Sequence, residues 1–193
     1  MESITSEQAD IIGEIANICT GTAATTLSMM LNRSTNITTP MVDVLSDEKS
    51  LERDDRILIK VPYTKGLDGT NLMVLDRKDA LVIASLMMGG DGTNISDMQL
   101  DELTLSAISE AMNQMCGSIA TSMATLLGRP TDIGFPLINS KEKKTFEIPE
   151  ELCNGTDIVK VTLRLTIDQL IDSALIQLYP ISIVKQILKQ EEI

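Results

Sequence analysis

Histidine and tryptophan are absent from these 193 residues, and there are only two phenylalanines and two tyrosines. Without histidine there is no imidazole base, so Ser-His-Asp triads and Cys/His zinc sites are excluded. Cysteine is scarce: Cys19, Cys116 and Cys153 form an odd set with no pairing pattern, which predicts a reducing compartment rather than a disulfide framework. No apolar run approaches the roughly 20 residues a membrane-spanning helix needs. The N-terminal MESITSEQAD is polar and acidic, unlike a signal peptide. Positive charge is in deficit, with 16 Lys and Arg against 28 Asp and Glu, a net charge of −12 and a pI near 4.4. That balance argues against nucleic acid or an anionic membrane as the main partner of the chain. Gly89-Gly90-Asp91-Gly92 matches no phosphate-binding fingerprint and reads as a turn. With so few aromatic residues the core must be aliphatic and rich in methionine, of which there are eleven.

What is present is a repeat. Glu14 to Arg33 (EIANICTGTAATTLSMMLNR) returns 96 positions later as Glu110 to Arg129 (EAMNQMCGSIATSMATLLGR). Without a gap, Glu14, Asn17, Gly21, Ala24, Thr25, Leu31 and Arg33 match Glu110, Asn113, Gly117, Ala120, Thr121, Leu127 and Arg129. The register continues through Thr35/Thr131, Ile37/Ile133 and Pro40/Pro136. The chain therefore reads as one domain over 1–193 made of two copies of one unit, about 1–92 and 93–193.

At about 100° per residue each copy is an amphipathic helix. Ile12, Ile15, Cys19, Ala23, Leu27 and Met30 form an apolar face in the first, and Ile108, Met115, Ile119, Met123 and Leu126 in the second. The opposite stripe is unusual: Glu14, Asn17, Gly21, Ala24 and Ser28, echoed by Glu110, Asn113, Gly117, Ala120 and Ala124. A solvated Glu and Asn on one helix would be unremarked. Here both copies also carry a mid-helix glycine, at a cost of about 1 kcal/mol against alanine. A smooth stripe admits a second surface, and Glu and Asn three apart stand side by side on it.

The remaining elements follow from capping, alternation and turn signals. Thr5 and Gln8 can form a capping box for the first helix, and Ser96 and Gln99 are the candidate caps for the second. Strands are expected over Asn36–Leu45, Arg56–Tyr63, Asn71–Leu75, Thr131–Ile138, Asp157–Leu165 and Ala174–Tyr179. Pro40 marks an edge or a bulge. Asp76 can cap a short helix to Met88, and Pro180 opens another over Ile181–Lys189. Charged loops are expected at Ser46–Asp55 and Ser140–Glu151. The fold class is α+β: two long exposed helices and smaller ones on an antiparallel sheet of six or more strands, with pseudo-twofold symmetry.

Each site has one acid, and the two sites lie on different helices, which argues against the two-acid chemistry of glycoside hydrolysis. A carboxamide can orient an attacking water when the substrate brings its own metal and electrophile. A neighbouring Glu can anchor a cationic group of a partner. E-x-x-N-x-x-x-G at Glu14–Gly21 and again at Glu110–Gly117 resembles the CheC/FliY/CheX phosphatases of bacterial chemotaxis. The flanks LNRSTNITTPMV and LTIDQLIDSALIQLYP are more like the flagellar-switch branch of that family than its stand-alone branch, and the resemblance runs from about residue 5 to 190.

The resemblance implies a phosphatase acting on the aspartyl phosphate of the response regulator CheY. In it, Asn17 and Asn113 would position water, Glu14 and Glu110 would dock a regulator lysine, and Gly21, Ala24, Gly117 and Ala120 would keep the partner-binding face open. The chain would have no metal or cofactor of its own, the regulator supplying Mg²⁺. Ile18 in the first copy is Gln114 in the second, so the two sites need not be equal. Other implied partners are FliM, FliG and FliN for a switch protein, or CheD for a stand-alone member, in the cytoplasm or at the switch on the inner membrane face. Switch members carry an N-terminal regulator-binding segment and a C-terminal FliN-like domain, neither visible in these 193 residues, so an excised middle domain and a stand-alone protein both stay open. A non-catalytic scaffold of the switch is the competing function. A small-molecule module, with a pocket between the halves, is a third.

Overall fold

The protein is described from a computed structural model, over residues 4–45, 55–139 and 157–189. The elements run α1 (Ser6–Leu31), β1 (Thr35–Leu45), β2 (Arg56–Lys65), β3 (Thr70–Asp76), α2 (Arg77–Met87), α3 (Glu102–Leu127), β4 (Asp132–Ile133), β5 (Leu137–Asn139), β6 (Ile158–Ile167), β7 (Ile171–Pro180) and α4 (Ile181–Leu188). The seven strands of the described residues form an antiparallel sheet of order β1-β6-β7-β3-β2-β4, with β5 also on β2.

This order is a palindrome under exchange of the halves. β6 answers to β2, β7 to β3, and β1 to the β4–β5 pair. The symmetry axis passes between β3 and β7, whose paired residues include Met73 and Gln177. Each half lends its first strand to the other: β1 pairs with β6, while β4 and β5 pair with β2. Strands exchanged in this way cannot swing apart as separate lobes.

The helices lie on the face to which Ile57, Ile59, Val61, Met73, Leu75, Val161, Leu163, Leu165 and Leu175 point, and together they make the large core. Leu58, Leu72, Val74, Ile158, Ile176 and Leu178, in the alternate positions, form a smaller cluster of buried residues. The predicted apolar faces of α1 and α3 are buried, with Leu27 1% and Ile108 0% exposed. Met30, half-buried, and Leu126, 37% exposed, are the exceptions; Leu127 takes the buried place in the last turn of α3. Cys19 and Cys116 are buried and free, and burial pushes each thiol up to about 12.

Local chemistry decides where the elements begin and end. Thr5 and Gln8 form the reciprocal capping box at α1. Pro40 falls where the β1–β6 register shifts, between Thr38 and Met41, on an edge strand. Three expectations are corrected. The second long helix is capped by Asp101, which accepts from the Thr104 amide at 2.8 Å, not by Ser96 with Gln99. Asp101 stands 96 positions after Thr5, so the repeat itself marked the place. Asp76 occupies the N-cap position of α2 but makes no side-chain cap bond; its carboxylate accepts from Arg56 Nε at 3.3 Å instead. The strand expected over Thr131–Ile138 is split at Gly134, where a side chain would lie 3.0 Å from Thr64 Cγ2. Of the two expected charged loops, all but Asp55 falls outside the described residues.

Thr5→Ala is expected to destabilise the fold by about 1 kcal/mol. Asp101→Ala should lower the denaturation midpoint, while Ser96→Ala leaves it unchanged; urea titrations of the three variants check this. The Thr104 amide holds the Asp101 carboxyl below the usual carboxylate range. Its contribution is therefore present above that range and lost as acid protonates the cap. A thiol reagent at pH 8 should leave Cys19 and Cys116 unmodified until denaturant is added, as mass spectrometry would read.

Candidate functional site

Two bonds between α1 and α3 fix the geometry of the site. Thr26 Oγ1 lies 2.6 Å from Ser118 Oγ, and Ser122 Oγ donates to Thr22 Oγ1 at 2.9 Å. Shifted by 96 positions, Thr22 becomes Ser118 and Thr26 becomes Ser122, so each bond is the symmetry image of the other. Residue numbers rise on one helix as they fall on the other, so the pair is antiparallel, centred on Ala24 and Ala120. Asn17 and Asn113 each stand seven residues from that centre, in opposite directions. At 1.5 Å per residue they lie about 20 Å apart along the seam.

The outward stripe is real for most of its length. Glu14, Asn17, Gly21 and Thr25 are exposed on α1; Glu110, Gly117 and Thr121 are exposed on α3, with Asn113 half-buried. The structure thus brings Glu14 beside Asn17 and Glu110 beside Asn113, and holds the two pairs apart. Among the described residues the side chains of Glu14, Asn17 and Asn113 make no hydrogen bond or ion pair. Glu110 differs: its Oε1 accepts from Gln114 Nε2 at 2.8 Å. At the place of Gln114 the first copy has Ile18, 41% exposed.

The glycines carry the most direct information. A side chain added at Gly21 or Gly117 would meet nothing within 4 Å. Among the described residues neither glycine admits a neighbouring element, and no contact there offsets its helix-propensity cost. Gly13, about two turns earlier on α1, is the contrast: a Cβ there would lie 3.4 Å from Val42 Cγ2 of β1.

Ala24 and Ala120 are not part of the open stripe. They are 5% and 6% exposed, because the edge of the stripe on which Ala24 sits also carries Gly13, which is packed on β1. Thr25 and Thr121 take their place as exposed members. Their hydroxyls donate to the carbonyls of Gly21 at 3.3 Å and Gly117 at 3.0 Å. Each threonine thus satisfies its own hydroxyl, leaving the glycine turn flanked by a side chain with no free donor. Their identity in the repeat was the signal available in the sequence.

Among the described residues the space enclosed between the halves is small, while an open groove of about 480 Å³ lies at the end of α3 beside Thr125, Gly128, Arg129 and Asp132. The cavity between α1, α3, β7 and α4, lined by Cys19, Ile119, Met123, Gln177 and Tyr179 among others, measures about 10 Å³, scarcely one water. Among the described residues no group of three or more Cys, Asp or Glu is placed to hold a metal ion, and no helix is long and apolar enough to cross a membrane.

The family model described as CheC-like matches residues 7–43 and 103–136. The two matches begin 96 positions apart, so each covers one copy of the helix and its following strand. The chain is 41% identical over 194 residues to the flagellar motor switch phosphatase FliY of Bacillus subtilis, covering 97% of this chain and 50% of that protein. It is 34% identical over 90 residues to the CheY-P phosphatase CheX of Thermotoga maritima, covering 47% of this chain and 55% of that one. The chain thus spans about half the length of these two relatives. The crystal structure of Thermotoga maritima FliY matches with a TM-score of 0.88 and 40% identity, over 98% of both chains. With the repeated stripe, the shared fold and this identity over nearly the whole length, the chain belongs to the CheC-like family.

Proposed function

We propose that this chain is a phosphatase domain acting on the aspartyl phosphate of the chemotaxis response regulator CheY, in association with the flagellar motor switch. The observation that carries the reading is the pair of exposed Glu/Asn stripes, each with a glycine that meets nothing in its own fold. The names of its relatives as motor switch and CheY-P phosphatases support the same reading.

In this mechanism a regulator docks along α1 or α3, with Glu14 or Glu110 accepting from a lysine ammonium of the partner. The glycine lets the partner backbone come close, so that Asn17 or Asn113 enters the phosphorylated pocket. The carboxamide oxygen accepts from a water and its NH₂ donates to the phosphoryl site, placing the water in line with the P–O bond to the aspartate. Water attacks phosphorus, the bond to the carboxylate oxygen breaks, and the products are free aspartate and inorganic phosphate, which takes up the water's proton. Asparagine does not titrate in water, so it positions the nucleophile and removes no proton itself. The magnesium ion arrives with the regulator as part of the substrate.

The test is dephosphorylation of CheY loaded with acetyl phosphate and Mg²⁺ and then freed of the donor. The wild-type chain should accelerate phosphate release. Asn17→Ala and Asn113→Ala should each retain part of that acceleration, and the double variant none. Binding without acceleration by the wild type would support a scaffold of the switch instead. Gly21→Ala and Gly117→Ala should each raise folding stability by about 1 kcal/mol, while raising the KM for the phosphorylated regulator. A stability gain with unchanged kinetics would remove the glycines from the docking surface.

A further inference from the structure

We infer that the two sites are unequal, and that Gln114 is a positioning residue that makes the second site the tighter docking surface. This rests on the phosphatase reading and concerns how each site holds the same regulator. In the free chain Glu110 is already held, its Oε1 accepting from Gln114 Nε2 at 2.8 Å. Glu14, its counterpart, has no partner among the described residues, because Ile18 stands where Gln114 does and has no donor.

The held carboxylate remains able to dock a cation. A carboxylate has about four acceptor positions, and the Gln114 amide uses one, which leaves Oε2 and a second lone pair on Oε1 for an ammonium. What Gln114 removes is rotamer freedom that Glu14 must lose on binding. Asn113 is also less exposed than Asn17, so its carboxamide has fewer orientations available. The stripes differ again two turns before the docking carboxylate, where the second carries Leu103, 68% exposed, and the first carries Glu7. Leu103 adds apolar area for a docked partner to cover. Arg33 and Arg129, just beyond the two helix ends, match in the repeat but differ in their partners: Arg33 lies 3.9 Å from Asp168, and Arg129 donates to the Gln186 carbonyl at 3.4 Å.

An exposed pair four apart on a helix contributes little, so the expected effect of Gln114 is about twofold. Docking contacts made equally in ground and transition states change KM and leave kcat alone. In the Asn17→Ala chain only the second site works, and in Asn113→Ala only the first. Dephosphorylation kinetics should give a KM at least twofold lower for the second site, with similar kcat. Adding Gln114→Ala or Gln114→Ile to Asn17→Ala should raise KM about twofold at constant kcat. The reciprocal Ile18→Gln in Asn113→Ala should lower KM by a similar factor, which a merely structural role for Gln114 would not produce. Equal KM values in the two single-site chains, or Gln114 variants that change kcat and not KM, would overturn the inference. An inactive wild-type chain would overturn the phosphatase reading, and this one with it.

Discussion

The seam between α1 and α3 is the constraint on which the molecule depends. Two hydroxyl pairs, Thr26 with Ser118 and Thr22 with Ser122, bridge antiparallel helices. Small side chains there let the helix axes come close, where leucines would hold them further apart. Because the pairs are symmetry images, fixing one fixes the other, and the helices can have only one register. Below the seam the exchange of β1 and β4–β5 between the halves ties the same symmetry into the sheet. The distance between the two Glu/Asn pairs is therefore a property of the whole fold and not of any loop.

On this rigid frame the fold leaves a surface unused. Glu14, Asn17 and Gly21 stand in the open, and so do Glu110 and Gly117, with Asn113 half-buried beside them. A core residue earns its place by burial, but Glu14, Asn17 and the two glycines have no side-chain contact among the described residues to account for them. Two uncompensated glycines in the middle of helices make sense if the missing contact belongs to another molecule. A site that offers only positioning and a docking charge also fits a chain with no histidine. In the proposed mechanism the metal and the electrophile come with the substrate.

Much of this was legible in the residues. The repeat offset located both helices and both Glu/Asn pairs, and it held the position of Asp101 as a cap even though local signals favoured Ser96. Strand alternation identified five of the strands within a few residues. Phase arithmetic failed at the margins of the stripe. Ala24 and Ala120 lie about 80° from the glutamates, and whether that angle is open or covered depends on where β1 sits, which periodicity along one helix does not contain. Asp76 was likewise a sound cap by type, but Arg56, twenty residues earlier, took its carboxylate. The difference between Ile18 and Gln114 was visible in the repeat, but the Gln114–Glu110 bond itself came only with the side-chain geometry. The strand exchange had no local signal, because it is a pairing of residues more than a hundred positions apart.

The central claim is that the stripes on α1 and α3 are the surface that meets an activated regulator. The most direct measurement is a titration of the isotope-labelled chain with CheY activated by beryllofluoride and Mg²⁺, following the side-chain amide signals of Asn17 and Asn113 and the backbone amides of Gly21 and Gly117. The account predicts that these four shift together, and only with the activated regulator. Shifts confined to the sheet edge at Phe135 and Leu137, with the stripes unmoved, would contradict it.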